Sequence, residues 1–175
     1  MHANNQNAMT TKVRTLTHFA VLDTLIVAAA CLIPAASHLF AAPLYMLNPM
    51  LALLLAGMLC EVGGRRYEVG VWNSLVLAVL MPLVSSLLVG MPAAPKMVCM
   101  MAEMATVVGL FHILSHRWGA LWSVFAAIVA GKVVYYALKA LVLAPVTLVG
   151  TEWWIQLLSV VLWGGLFAML YKRVK

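Results

Sequence analysis

Six apolar stretches restrict what this 175-residue chain can fold into. A helix crosses a bilayer with about 20 mainly apolar residues, because each residue adds about 1.5 Å along the axis. The second stretch is shorter than that, so we expect it to pack among its neighbours. The six predicted helices cover residues 17–36, 48–61, 72–90, 97–115, 120–143 and 152–171.

The composition favours a membrane protein, since 65% of the residues are hydrophobic and 9% are charged. That leaves too few polar side chains to cover a soluble globule. The net charge of +6 comes from 11 Lys and Arg, most of them in short clusters between apolar stretches, which argues against a nucleic-acid partner. The first stretch is longer than a signal-peptide core of about 7–15 residues, so we expect a retained helix. The prediction is an all-α membrane protein with a polar tail at 1–14 and one transmembrane domain at 15–175.

The basic clusters also predict the topology, because Lys and Arg collect in cytoplasmic loops. With the N-terminus inside, six crossings place every cluster on the cytoplasmic side, and Lys96 is the clear base left outside. We therefore expect a bundle of six transmembrane helices with cytoplasmic N- and C-termini. The clusters are Lys12 and Arg14, Arg65 and Arg66, Arg117, and Lys172, Arg173 and Lys175.

One carboxylate, Glu103, lies within the apolar run PKMVCMMAEMATVVGLF at 95–111. A charge at the centre of a membrane helix costs roughly 2.5–3.5 kcal/mol on insertion scales. The fifth helix runs the opposite way, and its Lys132, Tyr135 or Tyr136, and Lys139 are three, four and seven residues apart, so they share a face. Glu103 lies between the two lysines in depth. An acid and two bases at similar levels can neutralise one another.

Two interpretations of these charges stay open. They form a buried ion pair that fixes helix register, or they line a polar pocket that opens outward and binds a small molecule. The tyrosines and the apolar, aromatic connection at 37–49 favour the pocket. Which tyrosine faces it is undecided. The predicted ligand contacts are Glu103, Lys132, Tyr135, Tyr136, Lys139, Trp153, Gln156 and Asn48.

Three of these residues could equally serve the fold or the membrane boundary. Asn48 precedes a proline and can cap the second helix. Trp153, with its neighbour Trp154, fits an aromatic belt at the membrane boundary. Gln156 lies about one turn inside the sixth helix, near the expected level of Glu103, where an amide needs a partner.

The first helix carries small side chains at four-residue spacing, Ala20, Thr24 and Ala28. Such a stripe lets another helix approach closely, either within the bundle or from a separate membrane subunit. Asp23 lies beside this stripe. It is either a second acid within the membrane, partnered by Arg14 or His18, or a residue at the membrane–water interface.

Catalytic and metal motifs are weak. His112 and His116 are four residues apart and could form a metal or haem ligand pair, but no matching cluster lies at that depth on another helix. The chain has no phosphate loop, nucleophile elbow or HExxH motif. We therefore predict no enzyme activity, no bound metal and no cofactor. Energy for uphill transport would have to come from another chain.

The chain resembles the substrate-binding (S) component of energy-coupling factor (ECF) vitamin transporters. The stretches that carry the resemblance are the small stripe of the first helix, PMLALLLAGML in the second, PKMVCMMAEMATVVGLF in the fourth, GKVVYYALKALV in the fifth and WWIQLLSVVLWGGLFAMLYKR in the sixth.

The resemblance implies a six-helix protein of the bacterial cytoplasmic (inner) membrane that takes up a water-soluble vitamin or vitamin precursor. It implies binding on the outer side, by the loop after the first helix and by helices four to six. The implied partners are a membrane coupling subunit and two cytoplasmic ATPases. Ala20, Thr24 and Ala28 would contact the coupling subunit, with Thr24 in place of the family's usual alanine.

Two other functions compete with this one. A membrane haem or metal protein would use His112 and His116, and a non-catalytic assembly subunit would explain the small stripe but not the intramembrane charges. The mixture of Tyr, Trp, Lys and Glu suits a flat ring with polar substituents. The identity of that molecule does not follow from the sequence.

Overall fold

The computed structural model describes residues 17, 20–33, 48–63, 67–143 and 153–174. For 61–63, 67–70, 143, 153 and 174 it describes the backbone alone. The tail at 1–14, most of the 37–49 connection and Pro145 lie outside these residues. In the described part the fold is all-helical. The helices are α1 (Ala20–Ile33), α2 (Pro49–Gly63), α3 (Tyr67–Val89), α4 (Ala94–Ser115), α5 (Ala120–Leu143) and α6 (Trp153–Val174).

Four of the six helices are long and apolar enough to cross a membrane. This indicates a multi-pass membrane protein. α2 has 15 residues, which confirms that the second helix is short. α5 has the predicted bounds, whereas α3 begins five residues and α4 three residues earlier than expected. The four long apolar segments are Val71–Val89, Ala94–Ser115, Ala120–Val142 and Trp154–Arg173.

The ends of the central helices follow local chemistry. Gly90 follows α3 with φ +73, a left-handed conformation that suits glycine because it has no Cβ. The Ser85 hydroxyl reaches across this turn and donates to the Met91 carbonyl at 2.7 Å. Pro95 lies in the first turn of α4, where its missing N–H has no helical acceptor to lose.

The helices α2 to α6 close into a ring. α2 packs against α3 and α6, and the ring continues from α3 to α4, from α4 to α5 and from α5 to α6. α1 lies against α2 and α3, since a Cβ on Gly57 would come within 3.2 Å of Ile26 Cδ1 and 3.3 Å of Leu77 Cδ1. The fully buried side chains include Leu51, Leu54, Leu77, Met104, Ile128 and Phe167.

Large apolar side chains also cover the outside of the bundle. Trp72 is 73% exposed and Leu141 is 81% exposed. Many other large apolar side chains of α3, α5 and α6 are also exposed. A soluble monomer rarely carries so much contiguous apolar surface. The exposed surface therefore suits hydrocarbon, in agreement with the lengths of the four apolar helices.

Candidate functional site at the α4–α5 contact

The backbones of α4 and α5 approach closely at Gly131. A Cβ at this position would lie 2.7 Å from Val107 Cγ2 and 3.0 Å from the backbone oxygen of Glu103. Only glycine leaves room for this contact. The two helices therefore touch beside Glu103 and Lys132, the residue after Gly131.

Glu103 and Lys132 form a buried ion pair across that contact. Lys132 Nζ lies 2.8 Å from Glu103 Oε1, and the two side chains are 13% and 2% exposed. The expected neutralisation of Glu103 by a lysine of the fifth helix is confirmed, and the structure selects Lys132. Because both groups are removed from solvent, losing either one would leave an uncompensated charge in the bundle.

Asn48 joins the same cluster from the start of α2. Its Nδ2 donates to Glu103 Oε1 at 3.2 Å, and its Oδ1 accepts a long bond from the N–H of Leu51 at 3.4 Å. The helix cap that the sequence allows for Asn48 is thus present, and Asn48 also contacts Glu103, a partner that the sequence did not indicate. Its contact with a ligand stays a prediction. Asn48 has a positive φ of 50, which costs energy for a residue with a Cβ.

Two contacts converge on one oxygen of Glu103. Lys132 Nζ and Asn48 Nδ2 both lie within hydrogen-bond distance of Oε1. An ammonium has three N–H donors, and one of them is directed at Glu103. The pair can therefore offer a bound molecule both an acceptor and donors without losing its own contact.

The two tyrosines form an aromatic step beside the ion pair. Lys132 Nζ lies 5.8 Å from the ring centroid of Tyr135, within the range of a cation–π interaction. The rings of Tyr135 and Tyr136 meet edge to face, with centroids 5.3 Å apart. Tyr135 is thus the tyrosine that contacts the charged pair, and Tyr136 extends the aromatic surface.

Lys139 lies two turns of α5 beyond Lys132, towards the end of the helix. Lys96 and the buried Cys99 lie near the start of α4, which packs against α5. From the sequence alone, Lys96 is a base of an outer loop, whereas the structure places it in the first turn of α4. The spacing of 96, 99 and 103, which places all three on one helical face, is the signal that could have found them.

Gln156 and Trp153 are not shown in contact with the ion pair. Counted from the helix ends, Gln156 lies about 4.5 Å deep, Lys139 about 6 Å and Glu103 about 13.5 Å. These counts follow each helix from its own end, so the expected closeness of Gln156 to Glu103 stays a prediction. The buried Oε1 of Gln156 has no hydrogen-bond partner in the described part of the chain. Trp153 begins α6, and its side chain is outside the described residues.

The small stripe of α1 lies on the outside of the bundle. Ala20, Thr24 and Ala28 are all exposed, and the Thr24 hydroxyl donates to the Ala20 carbonyl at 2.7 Å within its own helix. Asp23 accepts a hydrogen bond from Asn73 Nδ2 of α3 at 3.1 Å, a partner that the sequence did not indicate. Arg14 and His18, the partners considered for it, lie outside the described residues.

The two histidines of α4 contact each other. The rings of His112 and His116 meet edge to face with centroids 5.1 Å apart. Among the described residues, no group of three or more His, Cys, Asp or Glu is placed to hold a metal ion. The histidine pair therefore has no third protein ligand in that part of the chain.

Comparisons with protein-family models, with curated proteins and with solved structures found no match to this chain. Its function has to be inferred from the chemistry of the α4–α5 cluster and from the membrane character of the bundle.

Proposed function

We propose that this protein is the membrane binding subunit of an uptake system for a small water-soluble micronutrient, a vitamin or a vitamin precursor. It acts as a binding protein and not as an enzyme. The α4–α5 cluster holds the molecule, and a separate ATP-driven module of the energy-coupling factor type supplies the energy. The observation that carries the proposal is the buried Glu103–Lys132 pair, held by Asn48 inside an apolar bundle.

A purely structural role explains this pair poorly. Buried ion pairs are often no more stabilising than apolar side chains of the same volume, because desolvation offsets their attraction. The register of α4 and α5 already has another determinant, the contact of Gly131 with Val107 and with the backbone of Glu103. A pair retained in spite of its desolvation cost is typical of a functional site in a membrane bundle.

The form of the cluster favours binding. It combines two aromatic rings set at right angles, Tyr135 and Tyr136, with donors and an acceptor beside them. Binding sites for small molecules have this mixture of apolar lining and few, well-placed polar groups. A micronutrient with a ring and polar substituents matches both parts.

The exposed face of α1 supports the proposed assembly. Ala20, Thr24 and Ala28 leave a shallow surface on which a helix of a coupling subunit can pack closely. Two cytoplasmic ATPases bound to that subunit complete the proposed module. Both termini of the chain are cytoplasmic in this proposal, and the membrane is the bacterial inner membrane.

Native mass spectrometry of the purified full-length protein tests the binding function. We expect one retained small molecule per chain, and at least about tenfold lower retention in Glu103→Gln and in Lys132→Met, since a hydrogen bond to a charged group is worth more than one factor of ten. Lys172→Met, in the last turn of α6, is the matched control and should retain the molecule. Equal retention in all four proteins would show that the cluster is not the site.

A separate measurement tests the assembly. We expect Ala28→Trp to abolish co-purification with the coupling subunit while the retained small molecule stays bound. Leu32→Trp, on an exposed position one turn further along α1, tests whether the effect belongs to the small stripe. The competing haem or metal function predicts a Soret band or stoichiometric metal that disappears in His112→Ala.

A further inference from the structure

Among the described side chains of α4 and α5, lysines outnumber carboxylates. Glu103 neutralises Lys132, and this leaves Lys96 and Lys139 as two further cations on the same pair of helices. The side chains that the structure describes include two carboxylates, Glu103 and Asp23. Asp23 is on α1 and accepts its hydrogen bond from Asn73. Neither carboxylate is paired with Lys96 or Lys139.

The two cations lie at the same end of the cluster. Lys96 is two residues from the start of α4, about 3 Å deep, and Lys139 is four residues from the end of α5, about 6 Å deep. α4 and α5 are antiparallel neighbours joined by a short connection, so these two ends adjoin.

The faces that carry these lysines continue to the ion pair. On α4 the face runs from Lys96 through Cys99 to Glu103, and on α5 it runs from Lys139 through the tyrosines to Lys132. The cluster therefore has three levels, with two cations nearest the helix ends, an aromatic level below them and a neutral pair at the bottom.

Lys96 is exposed and Lys139 is half-buried. Like charges on adjoining helix ends disfavour each other's charged forms. An anion between them removes this repulsion and accepts hydrogen bonds from both ammonium groups, which are stronger than bonds between neutral groups. A neutral or cationic molecule would leave the repulsion in place or increase it.

We propose that the molecule bound by this cluster is a small soluble carboxylic acid whose carboxylate lies between Lys96 and Lys139. Its flat part lies against Tyr135 and Tyr136, and its far end meets the Glu103–Lys132 pair. This inference rests on the proposed binding function and narrows its substrate to anions. The phosphate of a phospholipid headgroup has related chemistry, so the experiment must distinguish a soluble acid from a lipid.

The test uses the compounds that the full-length protein retains through purification. They are counted by native mass spectrometry, released by heat, and separated into acids, neutral compounds, bases and phospholipids by anion exchange and tandem mass spectrometry. We expect one soluble acid per chain. Its retention should fall about tenfold in Lys96→Met and in Lys139→Met, and further in the double variant.

Charge-conserving variants separate binding from folding. Lys96→Arg and Lys139→Arg keep the cations and should retain more of the acid than the methionine variants. Lys172→Met removes a cation remote from the cluster and should change nothing. The melting temperature of each variant in detergent is measured beside its retention. A loss of the acid in the arginine variants equal to that in the methionine variants would overturn the proposed role of charge.

The remaining outcomes are distinct. A neutral or basic compound retained at one per chain would overturn this inference and leave the proposed binding function intact. Retention of an anionic phospholipid, with no soluble acid, would assign Lys96 and Lys139 to the lipid surface and would also overturn it. Retention of no compound at all would contradict the proposed binding function itself, and the inference with it.

Discussion

The two ends of the bundle are held together by different chemistry. Towards the start of α4 the helices meet through Glu103, Lys132 and Asn48. Towards the end of α4 they meet through three buried rings, those of Phe111, Phe167 and Tyr171, with centroid distances of 5.1 and 5.7 Å.

Only one of these two clusters costs free energy to bury. The aromatic cluster gains from burial and from edge-to-face contacts, so stability alone accounts for it. The charged cluster must be desolvated, and its mutual attraction offsets that cost without a large surplus. The aromatic end is therefore expected to serve the fold, whereas the charged end is expected to serve binding.

The largest expected effect comes from breaking the ion pair on one side. Lys132→Met should lower the free energy of unfolding by about 3–5 kcal/mol, because Glu103 then remains buried without its cation. The double variant Lys132→Met, Glu103→Met should recover most of that loss and still bind no ligand. Denaturant titration in detergent measures stability, and native mass spectrometry measures binding. A double variant as unstable as the single one would show that the pair serves the fold.

The aromatic cluster should behave in the opposite way. Phe167→Ala should cost about 3–5 kcal/mol of stability, because it leaves a cavity among side chains that are packed on all sides. At temperatures where the variant stays folded, ligand retention should equal that of the parent. Phe167→Leu is the milder control. A loss of binding in folded Phe167→Leu protein would show that the aromatic cluster also serves binding, and not the fold alone.

Gly131 tests how the helix contact positions the pair. Gly131→Ala should cost about 1–3 kcal/mol, because the added Cβ meets Val107 and the backbone of Glu103. It should also weaken ligand retention by moving Lys132 relative to Glu103. Gly165→Ala, where a Cβ meets no atom within 4 Å, is the control and should be neutral in both measurements. Unchanged binding in Gly131→Ala would show that ligand retention does not depend on the register of α4 and α5.

Asn48 should give the smallest effect on stability. Asn48→Ala removes a helix cap and should cost roughly 0.5–2 kcal/mol. It also removes a donor from Glu103, so ligand retention should fall although Asn48 lies 55 residues away in the chain. Asn48→Asp keeps the cap acceptor but places a second carboxylate beside Glu103, and should bind less than Asn48→Ala. If both variants retained as much ligand as the parent, Asn48 would serve only as the helix cap and not in binding.

Much of the fold could be predicted from residue patterns, whereas the site could be predicted only in part. Runs of apolar residues located the six helices, because length and hydropathy alone decide what can cross a bilayer. The helical spacing of Lys132 and Lys139 indicated a shared face. It could not say which lysine meets Glu103, and it did not indicate that Asn73 donates to Asp23.

The reason is that membrane helices carry little information about their rotation. Lipid and bundle interior are both apolar, so the residues on the two sides look alike in sequence, unlike those of a soluble amphipathic helix. The spacing of the small residues in α1 did not reveal whether they face the bundle or the outside, and the structure places them outside.

The order of residues along the chain was enough to establish its membrane character, the approximate positions of its helices and the presence of costly charges within them. Three-dimensional packing was needed to show that Lys132 pairs with Glu103, that Asn48 binds the same oxygen and that Gly131 lets the two backbones touch. Helix formation depends on neighbours along the chain, whereas these contacts depend on the rotation and register of packed helices, which distant residues set together.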